Sequence, residues 1–298
     1  MTDPTPAERL AEAVRIHDDD PWAARALVTD LPFRLTDPSD LARLTWLATH
    51  AIGNLLKRWP EAQILCSQAI AVAGPPRADM LRNLAVAATL AGDPLEAWQA
   101  EMELSALLGV PPADGTALIR LLVIEQSIDK DKLAGWLPVI DGAVAQAEQI
   151  QGPPDLVRFL AIAGNNIASA IIESIPAPVD ETARVVERVA RLSHRAWLAV
   201  GSWLNHERAH YLMALVFNAT GKAAAAADAA REGLAIIAAH EPAPIDQCFL
   251  TLALARALKT GGDPAGSTAA RAEAAELATR FDDPYWQAEY AKRDAALG

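Results

Sequence analysis

The sequence predicts an all-α chain of antiparallel helix hairpins, and three observations carry that reading. Asp-Pro pairs punctuate the chain, apolar residues between them recur at helical spacing, and no segment alternates with the period of a strand. The pairs are Asp3-Pro4, Asp20-Pro21, Asp37-Pro38, Asp93-Pro94, Asp263-Pro264 and Asp283-Pro284. An aspartate ahead of a helix accepts a bond from an unpaired backbone N–H. Proline at the first helical position gives up an N–H that had no partner. At the first pair, Thr5-Pro6-Ala7-Glu8 offers a capping box just beyond it. Asp114-Gly115 and Asp141-Gly142 fall within or beside helical patterns, so neither reads as a hairpin turn between strands.

The elements follow in order. The first marks open helices over 6–17, 21–29 and 38–58. Gly74-Pro75-Pro76 separates 60–73 from 77–91, and Asp93-Pro94 opens 94–108. Gly109-Val110-Pro111-Pro112 leads into 113–128, followed by 130–150. Gly152-Pro153-Pro154 leads into 154–174, and 178–200 comes next. Over 202–220, Leu204, Leu212, Leu215, Val216 and Ala219 form one stripe, while His206, His210, Met213, Ala214 and Phe217 form another. A helix with two apolar stripes is sandwiched between neighbours. The alanine run Ala223–Ala227 favours a helix over 223–239. Ile245, Cys248, Phe249 and Leu252 sit at i, i+3, i+4 and i+7 of 244–260. Helix 264–281 and a short helix after Asp283-Pro284 complete the chain. Short loops make neighbouring helices antiparallel.

A repeat runs through this pattern. Gly92-Asp93-Pro94 and Gly262-Asp263-Pro264 are the same punctuation 170 residues apart, which is five periods of 34. Trp46, Gly53, Ala62 and Ala69 recur in kind as Ala85, Gly92 and Ala97, and again as Ala214, Phe217, Gly221 and Ala226. These residues resemble the tetratricopeptide repeat, with an early aromatic, small residues where two helices cross and a glycine at the turn. The resemblance covers roughly 38–109 and 203–281. It implies a right-handed superhelical solenoid, because one hairpin cannot bury both faces and stacked hairpins can. His50 stands where the small first-helix residue belongs, and Ser267 replaces the second-helix alanine. On this reading 1–37 are N-terminal capping helices, and 38–298 form one continuous array with an irregular middle over 113–200.

Composition narrows the function. The chain has 298 residues, and a net charge of -12 argues against nucleic-acid binding, which needs a basic footprint. The N-terminus lacks a secretory pattern, and no charge-free apolar run reaches the ~18 residues of a membrane span. Cys66 and Cys248 are too few for a disulfide scaffold and read as reduced core thiols. A cytoplasmic protein is expected. Only six of the 26 basic residues are lysines, which together with the abundant alanine suggests a GC-rich bacterial source.

The sharpest chemical signal is His206-Glu207-Arg208-Ala209-His210. It resembles the HExxH motif of zinc metallopeptidases, in which two histidines one turn apart bind Zn²⁺ and the glutamate activates its water. That resemblance implies His206 and His210 as ligands and Glu207 as base. A chain folding back at Gly221 brings Glu232 level with His210 as third ligand. Against it, Arg208 puts a cation beside the dication, and the His210 position has a packing role in the repeat. His17-Asp18-Asp19-Asp20 can attract a cation but reads as a helix end followed by an N-cap. His50 and Trp46 form a one-turn pair, read as packing. Asn54, Asn83, Asn165, Asn166 and Asn218 can line a peptide groove. Leu47 and Ala51 occupy the places a carboxylate clamp requires, so that mode is not supported. No phosphate loop surrounds Gly221-Lys222, and no cofactor motif is present.

The expected function is therefore a non-enzymatic scaffold that binds a basic or neutral protein or peptide in a groove, with no nucleic acid and no membrane. Trp22, Trp197, Trp203 and Trp286 are anchor candidates. A zinc hydrolase on His206, Glu207 and His210 is the alternative, and a small-ligand sensor the third.

Overall fold

The computed structural model describes residues 3–174 and 180–298. Among them there are helices and turns and no strand. They fall into two compact units, Met1–Ser127 and Ile128–Gly298.

The first unit contains α1 (Pro6–Ile16), α2 (Pro21–Val28) and α3 (Pro38–Leu47). A π-helical segment (Ala48–Leu55) continues α3, and α4 (Trp59–Ala73), α5 (Ala78–Ala91), α6 (Pro94–Leu108) and α7 (Pro112–Ser127) follow. From α3 onward consecutive helices pack on one another, while α2 packs on α1 and on the π-helical segment. A second set of contacts joins α1 to α3, α3 to α5 and α5 to α7, so every other helix shares a layer. The second unit holds α8 (Leu133–Ala147), α9 (Pro154–Ser174), α10 (Asp180–Val200), α11 (Trp203–Ala219), α12 (Ala223–Ala238), α13 (Pro244–Thr260), α14 (Pro264–Ala278) and α15 (Pro284–Ala295). It shows the same scheme, with α9, α11, α13 and α15 touching in turn.

The helix starts are those the sequence marks. Asp20, Asp37, Asp93, Asp263 and Asp283 each accept a backbone N–H, from Ala23, Ser39, Glu96, Gly266 and Tyr285 respectively. At α1 Thr5 and Glu8 close the capping box. Helix ends repeat as well. Gly92, Gly109, Gly221 and Gly262 all adopt positive φ. In each case the next residue's N–H reaches five residues back, as in Asp93 to Ala88 at 2.9 Å and Asp263 to Leu258 at 2.8 Å. That bond is the Schellman closure of a helix whose last carbonyls lack partners, and it favours glycine at the left-handed position.

Three of the expected helices differ from the sequence reading. The helix expected over 38–58 turns π-helical at Ala48, and Gly53 lies inside it rather than at a turn. Lys57, at φ 57°, makes the turn instead. Gly53 is needed for another reason: a Cβ there would come within 2.4 Å of the Trp59 indole. The helix expected over 130–150 begins with a 3₁₀ turn at Lys130–Lys132, capped by Asp129, and α8 ends at Ala147. The helix expected over 264–281 ends at Ala278, and Phe281 turns into the core beside Phe249 and Leu277. The start expected at 178 lies outside the described residues, and α10 is described from Asp180.

The small residues of the repeat are buried where helices cross. Ala62, Ala69, Ala85, Ala214, Ala226 and Ala255 are fully inaccessible, and Ser267 takes the alanine's place at 5% exposure. In the second unit α9 crosses α10 at Gly164, where a Cβ would stand 3.0 Å from that of Ser193. The Ser193 hydroxyl donates to the Ala161 carbonyl across the same contact. By length and mean hydropathy α9 is apolar enough to cross a membrane, although it holds no charge-free apolar run of the length a span was expected to need. Its charges, Asp155, Arg158 and Glu173, sit toward its ends. Half of its apolar stretch is buried within the unit, against α10 among others.

Candidate functional site

The histidines of α11 come first, because their spacing is the strongest chemical signal. His206 and His210 share one face of the helix, one turn apart. The fold-back at Gly221 brings α12 alongside, and Glu232 lies 3.1 Å from His210 Nδ1. A third imidazole, His194 of α10, meets His210 edge-on with ring centroids 4.6 Å apart. Sequence reasoning missed His194, since it stands on another helix with no motif around it. Nε2 of His194 and Nε2 of His206 are both buried without a hydrogen-bond partner.

Electrostatics follows from this burial. Desolvation, with His210, Arg191 and His206 nearby, lowers His194 to about 4. Desolvation also lowers His210, while Glu232 opposes the shift. His194 is therefore neutral at pH 7. Glu207 is buried and lies among different neighbours. Burial and the Asp246 carboxylate raise it to about 8, against the pull of Arg208. Its nearest cation, Arg208 Nε, is 3.4 Å away, and Arg208 is itself forked onto Asp246 of α13. The groups that act on Glu207 are thus Arg208 and Asp246. His206, His210 and Glu232 do not gather their donor atoms into one set. Among the described residues, the three-residue group of potential metal ligands lying within 4.8 Å of one another is His17, Asp18 and His50.

The remaining candidates have definite places. Asn83 is buried and donates to Thr45 Oγ1, and Asn218 donates to the Ala253 carbonyl, so both are engaged inside their units. Asn54 accepts from Lys57. Asn165 bonds its neighbour Asn166. Leu47 and Ala51 are fully buried. Cys66 is buried, and desolvation pushes its thiol far above the usual range; Cys248 is pushed up to about 12. Both are inert core thiols. The basic cleft of α10 is lined by Arg184, Arg188 and Lys222, which are held by Asp141, Glu148 and Glu187.

Among the anchor candidates, Trp286 packs on Phe249, and Trp203 stacks on His240. Trp22 lies under the guanidinium groups of Arg25 and Arg58, both of which grip Glu61. Phe33, Tyr285 and Trp98 are the most exposed aromatics, and Trp98, 58% exposed on α6, is the one that stands in an apolar stripe. Leu95 and Met102 lie one turn before and one after it and are also exposed, which makes one apolar stripe. On the opposite side of α6, Ala97, Ala100 and Leu104 are buried in the first unit.

No protein-family model matches the chain, and no curated protein sequence matches it.

Proposed function

We propose that the chain is a tetratricopeptide-like helical-repeat scaffold with no catalytic role, its hairpins continuing in the right-handed superhelical sense of that family. The exposed Leu95–Trp98–Met102 stripe is the observation that carries its binding role. A helix that already buries one face does not need a second apolar stripe for its own folding. Tryptophan and methionine at such a stripe are the side chains that anchor partner helices and segments. The Glu103 side chain beside it and the chain's charge of -12 favour a basic or neutral partner. The recurring Gly-Asp-Pro closures and buried alanines support the repeat reading.

A photo-crosslinking residue at Gln99, beside Trp98, tests the proposal in cells. One stripe-dependent adduct is expected, lost in a Trp98→Ala, Met102→Ser background and absent when the crosslinker sits at Ala199 of the second unit. An adduct pattern indifferent to those substitutions would remove the stripe as the binding surface.

A further inference from the structure

We infer that His17, Asp18 and His50 form a Zn²⁺ site that clips the end of α1 to the π-helical segment. The three donors come from two chain segments 32 residues apart. His17 Nε2 lies 3.4 Å and His50 Nε2 3.3 Å from the same oxygen, Asp18 Oδ1. Zinc holds nitrogen and oxygen ligands at about 2.0–2.1 Å in a tetrahedron, whose edges are then ~3.3–3.4 Å. Two edges of that tetrahedron are thus in place before any ion arrives.

The His17 tautomer strengthens the case. Its Nδ1 lies 2.6 Å from the Val14 carbonyl. A carbonyl only accepts, so Nδ1 carries the proton. In the neutral ring Nε2 is then a bare lone pair facing a carboxylate oxygen, an acceptor against an acceptor. A cation between them, or a second proton on the ring, resolves the conflict. A backbone carbonyl on the far nitrogen is also how metal-binding imidazoles are commonly oriented.

The rings are held ready. Trp46 stacks on His50 with centroids 5.5 Å apart and planes 7° from parallel, and it meets His17 edge-on at 5.3 Å. The two imidazoles stand 5.1 Å apart. Gly53, three residues beyond His50 in the π-helical segment, packs against the Trp59 indole. π-helical segments are frequent at functional sites. Two imidazoles and one carboxylate suit zinc rather than calcium or magnesium, which take oxygen ligands. The Asp18 side chain is 72% exposed, which leaves the fourth position to water.

Zinc titration of the chelator-treated full chain against a chromogenic competitor tests this. One equivalent is expected per chain. His17→Gln, His50→Gln and Asp18→Asn should each weaken binding at least tenfold, with His206→Gln/His210→Gln leaving it unchanged. Asp18→Asn alters an exposed side chain, so its loss of affinity does not reflect misfolding. Cobalt(II) in place of zinc should give the intense visible bands of a tetrahedral ion, lost in the same three variants. Three results would each overturn the site: no uptake by the wild type, uptake indifferent to His17→Gln and His50→Gln, or uptake lost with the α11 histidines.

Discussion

Glu207 is the residue whose chemistry departs furthest from its sequence context. Read alone, it is the middle of a metal motif; in the fold it is a buried acid beside Asp246, raised to about 8. An unfolded glutamate ionises near ~4.3. Between those values the unfolded chain has released a proton that the folded chain retains. Its contribution to stability is therefore full below the unfolded value and is lost as pH rises through about 8. His194 works in the opposite sense. Lowered to about 4, it stays neutral in the fold while the unfolded chain protonates near ~6.5, so stability falls as pH drops from that value. Above pH 7 His194 no longer contributes. The buried Cys66 and Cys248 thiols act in the same sense as the glutamate as unfolded thiols begin to ionise near ~8.5, so the comparison with a Glu207 variant isolates the glutamate. Glu207→Gln should unfold at higher urea concentration than wild type at pH 8, by a few kcal/mol on the scale of ~1.4 per pKa unit, and match it near pH 4.5. Equal midpoints at pH 8 would show that Glu207 is ionised and satisfied. The i, i+4 spacing of His206 and His210 was legible in the sequence. That His194 meets His210 across α10 was not, because the contact is made by helix packing.

At the scale of elements, two glycines separate two causes. Gly92 ends α5 at φ 83°, and a Cβ added there would meet nothing within 4 Å. Gly92→Ala should cost ~1–2 kcal/mol through the left-handed backbone alone, and no neighbouring substitution should relieve it. Gly53 has an ordinary backbone, but the Trp59 ring sits against it. Gly53→Ala should cost ~1–3 kcal/mol by overpacking, and Trp59→Leu should recover part of it. Urea midpoints of the four variants settle both points. Additive losses at Gly53 and Trp59 would contradict the steric account. The Gly92 turn was legible because its cap involves residues within five of it. The π-helical segment was not legible, since it depends on an indole that arrives from the next helix.

At the scale of the whole molecule, the two units each build their own core. The first contains the buried residues Leu10, Leu31, Leu44, Ile52, Met80 and Leu118. A chain of residues 1–127 should therefore fold by itself, with helical circular dichroism and a cooperative thermal transition. It also contains all three zinc donors, so zinc should raise its melting temperature as it does that of the full chain. A non-cooperative melt would show that the first core is incomplete. The predicted packing of neighbouring helices in chain order agrees with the packing inside each unit. The division after Ser127 had no composition shift or linker to mark it, because a short Pro- and Gly-free connection looks like any other helix junction.

The sequence by itself determined the helical class, most helix starts and the repeated glycine turns. These rest on hydrogen bonds between residues two to five positions apart, so the necessary information is local. Only the tertiary structure decided which side chains meet: His17 and His50 around Asp18, His194 against His210, Glu207 beside Asp246, and Trp98 left in solvent. Those pairings join residues 16 to 39 positions apart in the chain, and helix periodicity sets the face a residue occupies without naming the neighbour that face will find.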